Sequence, residues 1–322
     1  MAASPAVSKL RQLLAEDNKI IVCPGVYDGL TARIALEAGF DVLYMVNPPP
    51  LHGDIRFTFQ LTNRGIKTGA GTTASRLGQP DLGLITLNEM RENAEMIANL
   101  NRLKPLIADA DTGFGGSLMV HRTVTEYIRA GVAALHLEDQ PTSKRCGHLR
   151  NKQLVAKDEF LSRIKAAVNA RKLSGGDIVL FARTDALASL GYDEAISRLK
   201  GAIELGADVA FLEGITSKEQ AKQACQDLSP TPVVFNAVPG GVSPDLSTAE
   251  AQELGFKLII FPGFALAPVY AAVKKAADHL KETGTRIPSE LGSPRDLFNA
   301  VGLREAIGID MASGEGLFEG GV

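Results

Sequence analysis

The sequence predicts a (β/α)8 TIM barrel, in which eight parallel strands form a closed barrel inside a ring of helices. The first observation is a repeated junction, in which a helical segment ends in Gly and an apolar run follows within a few residues. It occurs at Gly39, Gly131, Gly206 and Gly255. Glycine just past a helix end adopts the left-handed conformation, so each position marks a boundary between a helix and a strand.

Eight short apolar runs have the length and composition of buried strands, and helical periodicity separates most of them. They begin near Ile20, Val42, Leu106, Ala134, Ile178, Val209, Val233 and Leu258. Continuous apolar strands between helices indicate a parallel sheet, and eight such units favour a closed barrel over an open, doubly wound sheet. The Gly-rich run from Asp111 to Gly116 is not a dinucleotide-binding motif, because Leu118 stands where G-x-G-x-x-G requires its third glycine.

The C-terminal region extends beyond the eighth strand. We predict a helix from Leu266 to Lys281, a stretch rich in Gly, Pro and Ser from Thr283 to Pro294, and an amphipathic helical segment from Arg295 to Ile307. We expect one barrel domain over residues 1–322, with residues 283–322 as a C-terminal extension. The amphipathic segment either packs on a neighbouring subunit or folds back on its own barrel.

Composition excludes several classes of protein. The net charge is -3, the pI is about 6.0 and charges of both signs are interleaved, which argues against a nucleic acid partner. No run reaches the ~18 apolar residues of a membrane span, so no membrane partner is expected. Cys23, Cys146 and Cys225 are widely spaced and form no CxxC pair, which argues against disulfides and structural zinc. We therefore expect a cytoplasmic protein.

Polar residues follow most of the predicted strands, at the end where TIM barrels carry their chemistry. They are Tyr44, Asp109, Asp111, His136, Glu138, Asp139, Arg183, Asp185, Glu213 and Asn236. Asp109 and Asp111 point to the same face of a strand, so their carboxylates repel unless a cation lies between them. With Glu138 as a third oxygen donor, the pattern predicts Mg²⁺ or Mn²⁺ rather than zinc. Arg183 is placed to bind a substrate carboxylate through two hydrogen bonds.

The loop from Gln140 to Asn151 is too polar for the core and too long for a simple turn, and it resembles a lid. It contains Lys144, Arg145, Cys146 and His148. Basic neighbours stabilise a thiolate, so Cys146 can donate and recover a proton near neutral pH. Cys23 and Cys225 lack such neighbours, and we expect them to be buried packing residues.

Six motifs together resemble one family. They are Pro24–Asp28 (PGVYD), Pro80–Gly83 (PDLG), Asp109–Gly115 (DADTGFG), His136–Gln140 (HLEDQ), Lys144–His148 (KRCGH) and Ala182–Asp185 (ARTD). The family is the isocitrate lyase and phosphoenolpyruvate mutase superfamily, in the branch of methylisocitrate lyase, 2-alkylmalate lyases and oxaloacetate hydrolase. The resemblance covers about Lys19 to Ala272, and the motifs are highly specific in combination.

The resemblance implies three groups of site residues. The metal ligands, expected to hold Mg²⁺ partly through waters, are Asp81, Asp109, Asp111 and Glu138. The substrate-binding residues are Thr68, Gly69, Ala70, His136, Arg183, Glu213 and Asn236. The residues with catalytic roles are Tyr44, Lys144, Arg145, Cys146 and His148. The resemblance also implies a homo-oligomer, usually a dimer of dimers, in which paired subunits exchange their last helix.

The implied reaction is retro-aldol cleavage of a small 2-hydroxy di- or tricarboxylate, which releases a 2-oxoacid such as pyruvate. Cys146 is expected to protonate the departing carbanion while Arg145 and His148 balance charge; the base is not identified. Hydrolysis of oxaloacetate is closely related. A different alternative is the P–C bond chemistry of carboxyphosphonoenolpyruvate and phosphoenolpyruvate mutases, whose loop generally lacks the cysteine.

The family pattern is interrupted by 22 residues, from Val46 to Lys67. Without them, Tyr44-Met45 would run directly into Thr68-Gly69-Ala70-Gly71, the expected spacing. The segment begins with Val, whose codons start with GT, and ends with Lys, one of whose codons ends with AG. One hypothesis is therefore a short intron translated in frame, and the alternative is a genuine insertion in a lid. Either would displace Tyr44 from the anchoring loop, so a catalytically impaired barrel is a further alternative.

Two departures from the family pattern concern specificity. One is the run Asn236-Ala237-Val238-Pro239-Gly240-Gly241, where lyases of the family tend to have Glu. The other is Gly263-Phe264 after Pro262, in place of the usual polar residue. Both leave open which group forms the second half of the substrate.

Overall fold

A computed structural model describes residues 4–46, 71–144, 152–288 and 293–318 of the chain. Its strands are β1 (Ile21–Val26), β2 (Leu43–Met45), β3 (Leu106–Asp109), β4 (Ala134–Glu138), β5 (Val179–Thr184), β6 (Val209–Leu212), β7 (Val233–Asn236) and β8 (Leu258–Phe261). All eight are parallel, each pairs with the next along the chain, and β8 pairs with β1 to close a barrel. Each strand begins within one residue of its predicted start. The predicted (β/α)8 barrel is confirmed.

Helices connect and surround the strands. They are α1 (Pro5–Ala15), α2 (Gly29–Glu37), α3 (Gly71–Leu77), α4 (Leu87–Leu100), α5 (Ser117–Arg129), α6 (Lys157–Leu173), α7 (Leu187–Leu190), α8 (Tyr192–Leu205), α9 (Lys218–Asp227), α10 (Thr248–Glu253), α11 (Leu266–Thr283), α12 (Pro294–Ala300) and α13 (Leu303–Ser313). Asp28 and Thr86 begin α2 and α4 by accepting a hydrogen bond from the first turn. Gly131 and Gly206 follow α5 and α8 with φ of 86° and 112°, as predicted for these boundaries. Across the described residues, each helix is too short or too polar to traverse a lipid bilayer.

Strand side chains alternate between the barrel interior and the surrounding helices. Ile107, Phe181 and Phe211 point inward and pack into one buried cluster. Val7 and Leu10 of α1 belong to the same cluster, so α1 closes the N-terminal end of the barrel. The inward positions become polar only at the opposite, C-terminal end of the strands, which is where the candidate site lies.

The C-terminal region confirms one helix prediction and corrects another. The helix predicted from Leu266 to Lys281 is α11. The segment predicted as one helix, Arg295 to Ile307, is divided between α12 and α13, because Gly302 lies between them in the left-handed conformation with φ of 94°. Arg33 of α2 pairs with Glu305 of α13 at 3.1 Å. Exchange of a helix between subunits involves a second chain and stays a prediction.

Candidate active site

The predicted strand-end residues meet at the C-terminal mouth of the barrel. Inward positions beyond the apolar layer carry Tyr44, Asp109, Asp111, His136, Glu138, Arg183, Glu213 and Asn236. All are buried except Asn236, which is partly exposed. Polar and charged groups stay buried only when they are paired with one another or with a ligand, so their contacts define what the mouth can bind.

Lys144 lies between two of the predicted metal ligands. Its Nζ is 3.1 Å from Asp81 Oδ2 and also contacts Asp111 Oδ1. Burial lowers the pKa of Lys144, but the carboxylates of Asp111 and Asp81 outweigh this effect and hold the pKa well above its ordinary value. The ammonium therefore stays charged. Its described contacts make Lys144 a counter-ion of the acidic cluster, and its catalytic role stays a prediction.

Backbone contacts fix the turn that carries Asp109 and Asp111. The backbone N–H of Asp111 donates to Asp109 Oδ1 at 2.7 Å, and Asp111 itself has a φ of 49°. Positive φ is uncommon for residues other than glycine and persists where the surroundings enforce it. The hydroxyl of Tyr127 donates to the backbone oxygen of Asp109 at 2.9 Å. These contacts fix the backbone that carries Asp109 and Asp111 at the end of β3.

The acidic cluster fits a hard divalent cation such as Mg²⁺, because all of its donors are carboxylate oxygens. Asp81 Oδ1 is buried and has no hydrogen-bond partner among the described residues. Burial raises the pKa of Asp81 to about 7 and that of Glu138 to about 8, as expected for carboxylates that need more positive charge nearby. Within the described residues, no group of three acidic, His or Cys side chains is arranged to hold a metal ion, and the ammonium of Lys144 contacts both Asp81 and Asp111.

Tyr44 and His136 form a buried pair beside these acids. Tyr44 Oη and His136 Nε2 are 2.7 Å apart, and the same nitrogen is 3.4 Å from Asp109 Oδ1. Burial and the nearby Arg183 lower the pKa of His136 to about 3. Burial also holds the pKa of the Tyr44 hydroxyl well above its ordinary value. Both side chains are therefore neutral near pH 7 and act through hydrogen bonds.

Arg183 connects acids from three strand ends. Its Nε lies 3.0 Å from Asp185 Oδ2 and 3.4 Å from Glu138 Oε2. Its Nη2 lies 3.7 Å from Glu213 Oε2. Asn236 Nδ2 donates to that same Glu213 oxygen at 3.0 Å. Arg183, Glu213 and Asn236, predicted to bind substrate, thus form one network at the mouth.

Lys152 is a residue of this network that the sequence did not reveal. Its Nζ donates to Asp185 Oδ1 at 2.5 Å. Asp185 is among the predicted strand-end residues, but no role was predicted for it. Lys152 directly follows the polar loop that ends at Asn151, and a loop has no periodicity from which the direction of a side chain could be predicted. Its adjacency to the KRCGH run was the one available signal.

A cavity of about 310 Å³ adjoins the acidic cluster. Its lining includes Asp111 and Lys144, the start of α4, and Arg122 of α5. Arg122 has no predicted role. The cavity gives space for solvent or a ligand beside Asp111 and Lys144.

Several predicted residues lie outside the described residues, and their roles stay predictions. They are Thr68, Gly69, Ala70, Arg145, Cys146 and His148, together with residues 47–67 of the interrupting segment. The flanks of that segment are described. The backbone N–H and Oγ1 of Thr72 donate to the oxygen of Val46 at 3.1 and 2.8 Å. The chain therefore leaves β2 and enters α3 at neighbouring points, as an inserted loop requires.

Residues 10–281 match the phosphoenolpyruvate phosphomutase family. The chain belongs to this family, and the predicted isocitrate lyase and phosphoenolpyruvate mutase superfamily is confirmed. A 2,3-dimethylmalate lyase of Eubacterium barkeri is 40% identical over 271 residues, which cover 84% of this chain and 83% of the relative. A solved structure of a 2,3-dimethylmalate lyase is 48% identical with a TM-score of 0.89, covering 100% of this chain and 99% of its own. An oxaloacetate acetylhydrolase in complex with 3,3-difluorooxalacetate is also 48% identical with a TM-score of 0.89, covering 98% and 100%.

Proposed function

We propose that the protein is a Mg²⁺-dependent carbon–carbon lyase. Its substrate would be a small 2-hydroxy di- or tricarboxylate of the 2-alkylmalate or methylisocitrate type, cleaved to a 2-oxoacid such as pyruvate and a second carboxylate. The observation that carries the proposal is the barrel mouth, where a carboxylate cluster with excess negative charge lies beside the guanidinium of Arg183. The names of its relatives, 2,3-dimethylmalate lyase among them, support the same class.

Asp81, Asp109, Asp111 and Glu138 would hold Mg²⁺ or Mn²⁺. When bound, the ion would stabilise negative charge that develops on the substrate oxygen. Lys144 balances part of the negative charge of the same acids. A buried site without bulk water strengthens each of these interactions.

Other side chains of the mouth would bind and orient the substrate. Arg183 would donate two parallel hydrogen bonds to one substrate carboxylate, the geometry that guanidinium groups favour. Neutral Tyr44 and His136 would contribute hydrogen bonds without adding a further charge beside Arg183. The backbone of residues 68–70 is proposed as the anchor for its oxo or hydroxy carboxylate end.

In the proposed reaction, the proton lost by the substrate hydroxyl is matched by one proton delivered to the departing fragment. The substrate hydroxyl loses its proton to a base, the bond to the neighbouring carboxylate-bearing carbon breaks, and a carbonyl forms on the 2-oxoacid fragment. The electron pair stays on the other fragment, where Cys146 would deliver a proton. Arg145 and His148 would stabilise the resulting thiolate, which regains a proton for the next cycle.

The decisive experiment is incubation with Mg²⁺ and a panel of 2-substituted malates, 2-methylisocitrate and oxaloacetate, with assays for pyruvate, glyoxylate and oxalate. Pyruvate from a malate or from methylisocitrate supports the lyase. Oxalate from oxaloacetate supports the second candidate, hydrolysis, which the similarity to oxaloacetate acetylhydrolase favours. Full activity in excess EDTA contradicts metal dependence. Cys146→Ala should abolish most of the lyase kcat but leave a mutase nearly unaffected.

The interrupting segment calls for a matched comparison. The full chain and a variant without residues 46–67 should be assayed side by side on the same panel. Higher activity of the shortened variant would support an impaired barrel, and equal activity would support a genuine insertion. A transcript that always contains the segment would contradict the retained intron.

We propose a homo-oligomer, a dimer of dimers that pairs through the C-terminal helices. No residue of the fully described helices α11, α12 and α13 is buried, although they carry apolar side chains such as Val273 and Ile309, which are 62% and 64% exposed. Apolar surface of this kind is typical of an interface. Light scattering should give four times the monomer mass, and a monomer would contradict the proposal. We further propose a single domain and a cytoplasmic location, consistent with the free, buried thiols of Cys23 and Cys225.

A further inference from the structure

Lys152 is a buried cation at the barrel mouth. Its side chain is 7% exposed, and its Nζ donates to Asp185 Oδ1, which belongs to a fully buried carboxylate. Lysine is almost never buried to this extent unless it is paired, because removing an ammonium from water is costly. The contact with Asp185 therefore compensates for the burial of Lys152.

Asp185 is shared between two cations. Its Oδ2 accepts from Arg183 Nε at 3.0 Å, and its Oδ1 accepts from Arg183 Nη2 at 3.3 Å as well as from Lys152. Arg183 thus uses its Nε and Nη2 edge on Asp185. The contacts of Arg183 with Asp185, Glu138 and Glu213 all use Nε or Nη2, so a ligand carboxylate would meet the Nη1 end of the guanidinium.

A second ion pair fixes the backbone on both sides of this contact. Asp139 accepts from the backbone N–H of Asp185 at 2.9 Å, and its own backbone oxygen accepts from the N–H of Val155 at 2.9 Å. Arg198 donates to Asp139 Oδ2 at 3.1 Å and to the oxygen of Val155 at 2.9 Å. The segment that carries Lys152 and the end of β5 are therefore held in register. The distance between Lys152 and Asp185 is set by the fold.

We propose that Lys152 is a positioning residue for Arg183. By neutralising one oxygen of Asp185, it limits how strongly Asp185 holds the guanidinium and leaves Arg183 directed toward a substrate carboxylate. Without Lys152, the buried charge of Asp185 would be balanced by Arg183 alone, and a substrate carboxylate would have to compete with it. The inference rests on the proposed role of Arg183 in carboxylate binding and adds a residue on which substrate affinity depends.

The test is a double-mutant cycle with Lys152→Met, Asp185→Asn and the combination, measured as KM and kcat with saturating Mg²⁺. Oxalate, bound with Mg²⁺ present and followed by calorimetry, serves as a probe independent of turnover. For Lys152→Met we expect KM and the oxalate Kd to rise about tenfold, the effect of a weakened charged hydrogen bond. We expect kcat to change less than about threefold, because a contact made equally in the ground and transition states affects KM alone. Lys152→Arg should restore most of the affinity.

Lys157→Met is the matched control. Lys157 lies at the start of α6, is also partly buried, and donates through Nζ to Ser197 Oγ at 2.6 Å rather than to the site. It should leave KM, kcat and the oxalate Kd unchanged. Should Lys152→Met not fold, Lys152→Gln takes its place, since it keeps a donor and loses the charge.

Three results would overturn the inference. One is an unchanged KM and Kd in Lys152→Met. The second is the same tenfold loss when Asp185 is already Asn, because Lys152 would then act through its charge and not through Asp185. The third is an equal loss in Lys157→Met. If the wild type binds oxalate but cleaves nothing in the panel, the proposed lyase activity is refuted. The role of Lys152 is then decided by comparing the oxalate Kd of the wild type and the variants. A wild-type protein that binds no oxalate would refute both.

Discussion

Asp139→Asn removes one partner of a buried ion pair behind the site. Asp139 Oδ2 accepts from Thr184 Oγ1 at 2.5 Å and from Arg198 Nη1 at 3.1 Å, while Oδ1 accepts from the backbone of Asp185. Asparagine keeps only one acceptor oxygen, and its amide NH₂ would face one of the groups that now donate to Asp139. Arg198, which is 3% exposed, would then lose its buried charged partner and keep only the partly exposed Glu194.

The magnitude follows from that burial. Removing one partner of a buried ion pair costs about 3–5 kcal/mol, because the remaining charge stays desolvated. Unfolding entropy near 60 °C is about 2.1 cal/mol/K per residue, so for a chain of 322 residues this loss lowers the melting temperature by roughly 4 to 7 °C.

Scanning calorimetry of the wild type and two variants tests this prediction. Glu194→Gln is the control, because Glu194 pairs with the same Arg198 at 2.9 Å but is 35% exposed. Solvent screens such a pair, which contributes about 1 kcal/mol or less, so the control should lower the melting temperature by no more than about 1.5 °C. If the two variants melt at the same temperature, burial does not decide the strength of the Asp139 contact and the reasoning is wrong.

Three further predictions concern the acidic cluster. Mg²⁺ binding at pH 7 should release protons and strengthen as pH rises. Burial raises the pKa of Asp81 to about 7 and that of Glu138 to about 8, so the ion competes with protons for these carboxylates. Calorimetry in two buffers of different ionisation enthalpy checks this prediction, and equal binding heats in the two buffers would contradict it. Lys144→Met should lower the melting temperature of the metal-free protein, since the ammonium no longer neutralises the acids, and Mg²⁺ should then raise the melting temperature by more than it does in the wild type. A thermal-shift assay in which Mg²⁺ raises the melting temperature of both proteins equally would contradict this prediction. Tyr127→Phe should cost about 1 kcal/mol in urea unfolding, the value of its one hydrogen bond to the Asp109 backbone, and a loss above about 3 kcal/mol would show a larger role.

The barrel was predictable because its strands are continuous apolar runs between helices, a pattern that local sequence carries directly. The C-terminal segment was not, because the break at Gly302 is a matter of backbone conformation that amphipathic periodicity does not report. Gly302 has a φ of 94°, a left-handed conformation that residues with a side chain rarely adopt. Amphipathic periodicity continues across such a residue and predicts one helix where the structure has two.

The candidate site divides in the same way. Asp109 and Glu138 could be predicted because strand side chains alternate and the ends of parallel strands meet at one edge. The expectation that Asp111 shares a strand face with Asp109 was wrong, because Asp111 lies in the turn after β3 with a φ of 49°. The contacts of Lys144 with Asp81 and of Lys152 with Asp185 could not. These pairs are 63 and 33 residues apart, and they depend on the path of loops, which no periodicity constrains.

Charge balance connects these contacts to function. Within the described residues, the mouth gathers the carboxylates of Asp81, Asp109, Asp111, Glu138, Asp185 and Glu213. The cations among them are Lys144, Lys152 and Arg183. His136 is neutral, so the described carboxylates outnumber the described cations; burial raises the pKa values of Asp81 and Glu138, and neighbouring acids such as Asp111 add to that effect. A substrate with two carboxylates entering this mouth alone would be repelled, whereas a divalent cation held by the acids would reverse that repulsion. In the proposed mechanism, the excess of acids among the described residues would make this part of the mouth a poor receptor for an anion by itself, so the metal ion would bind before the substrate.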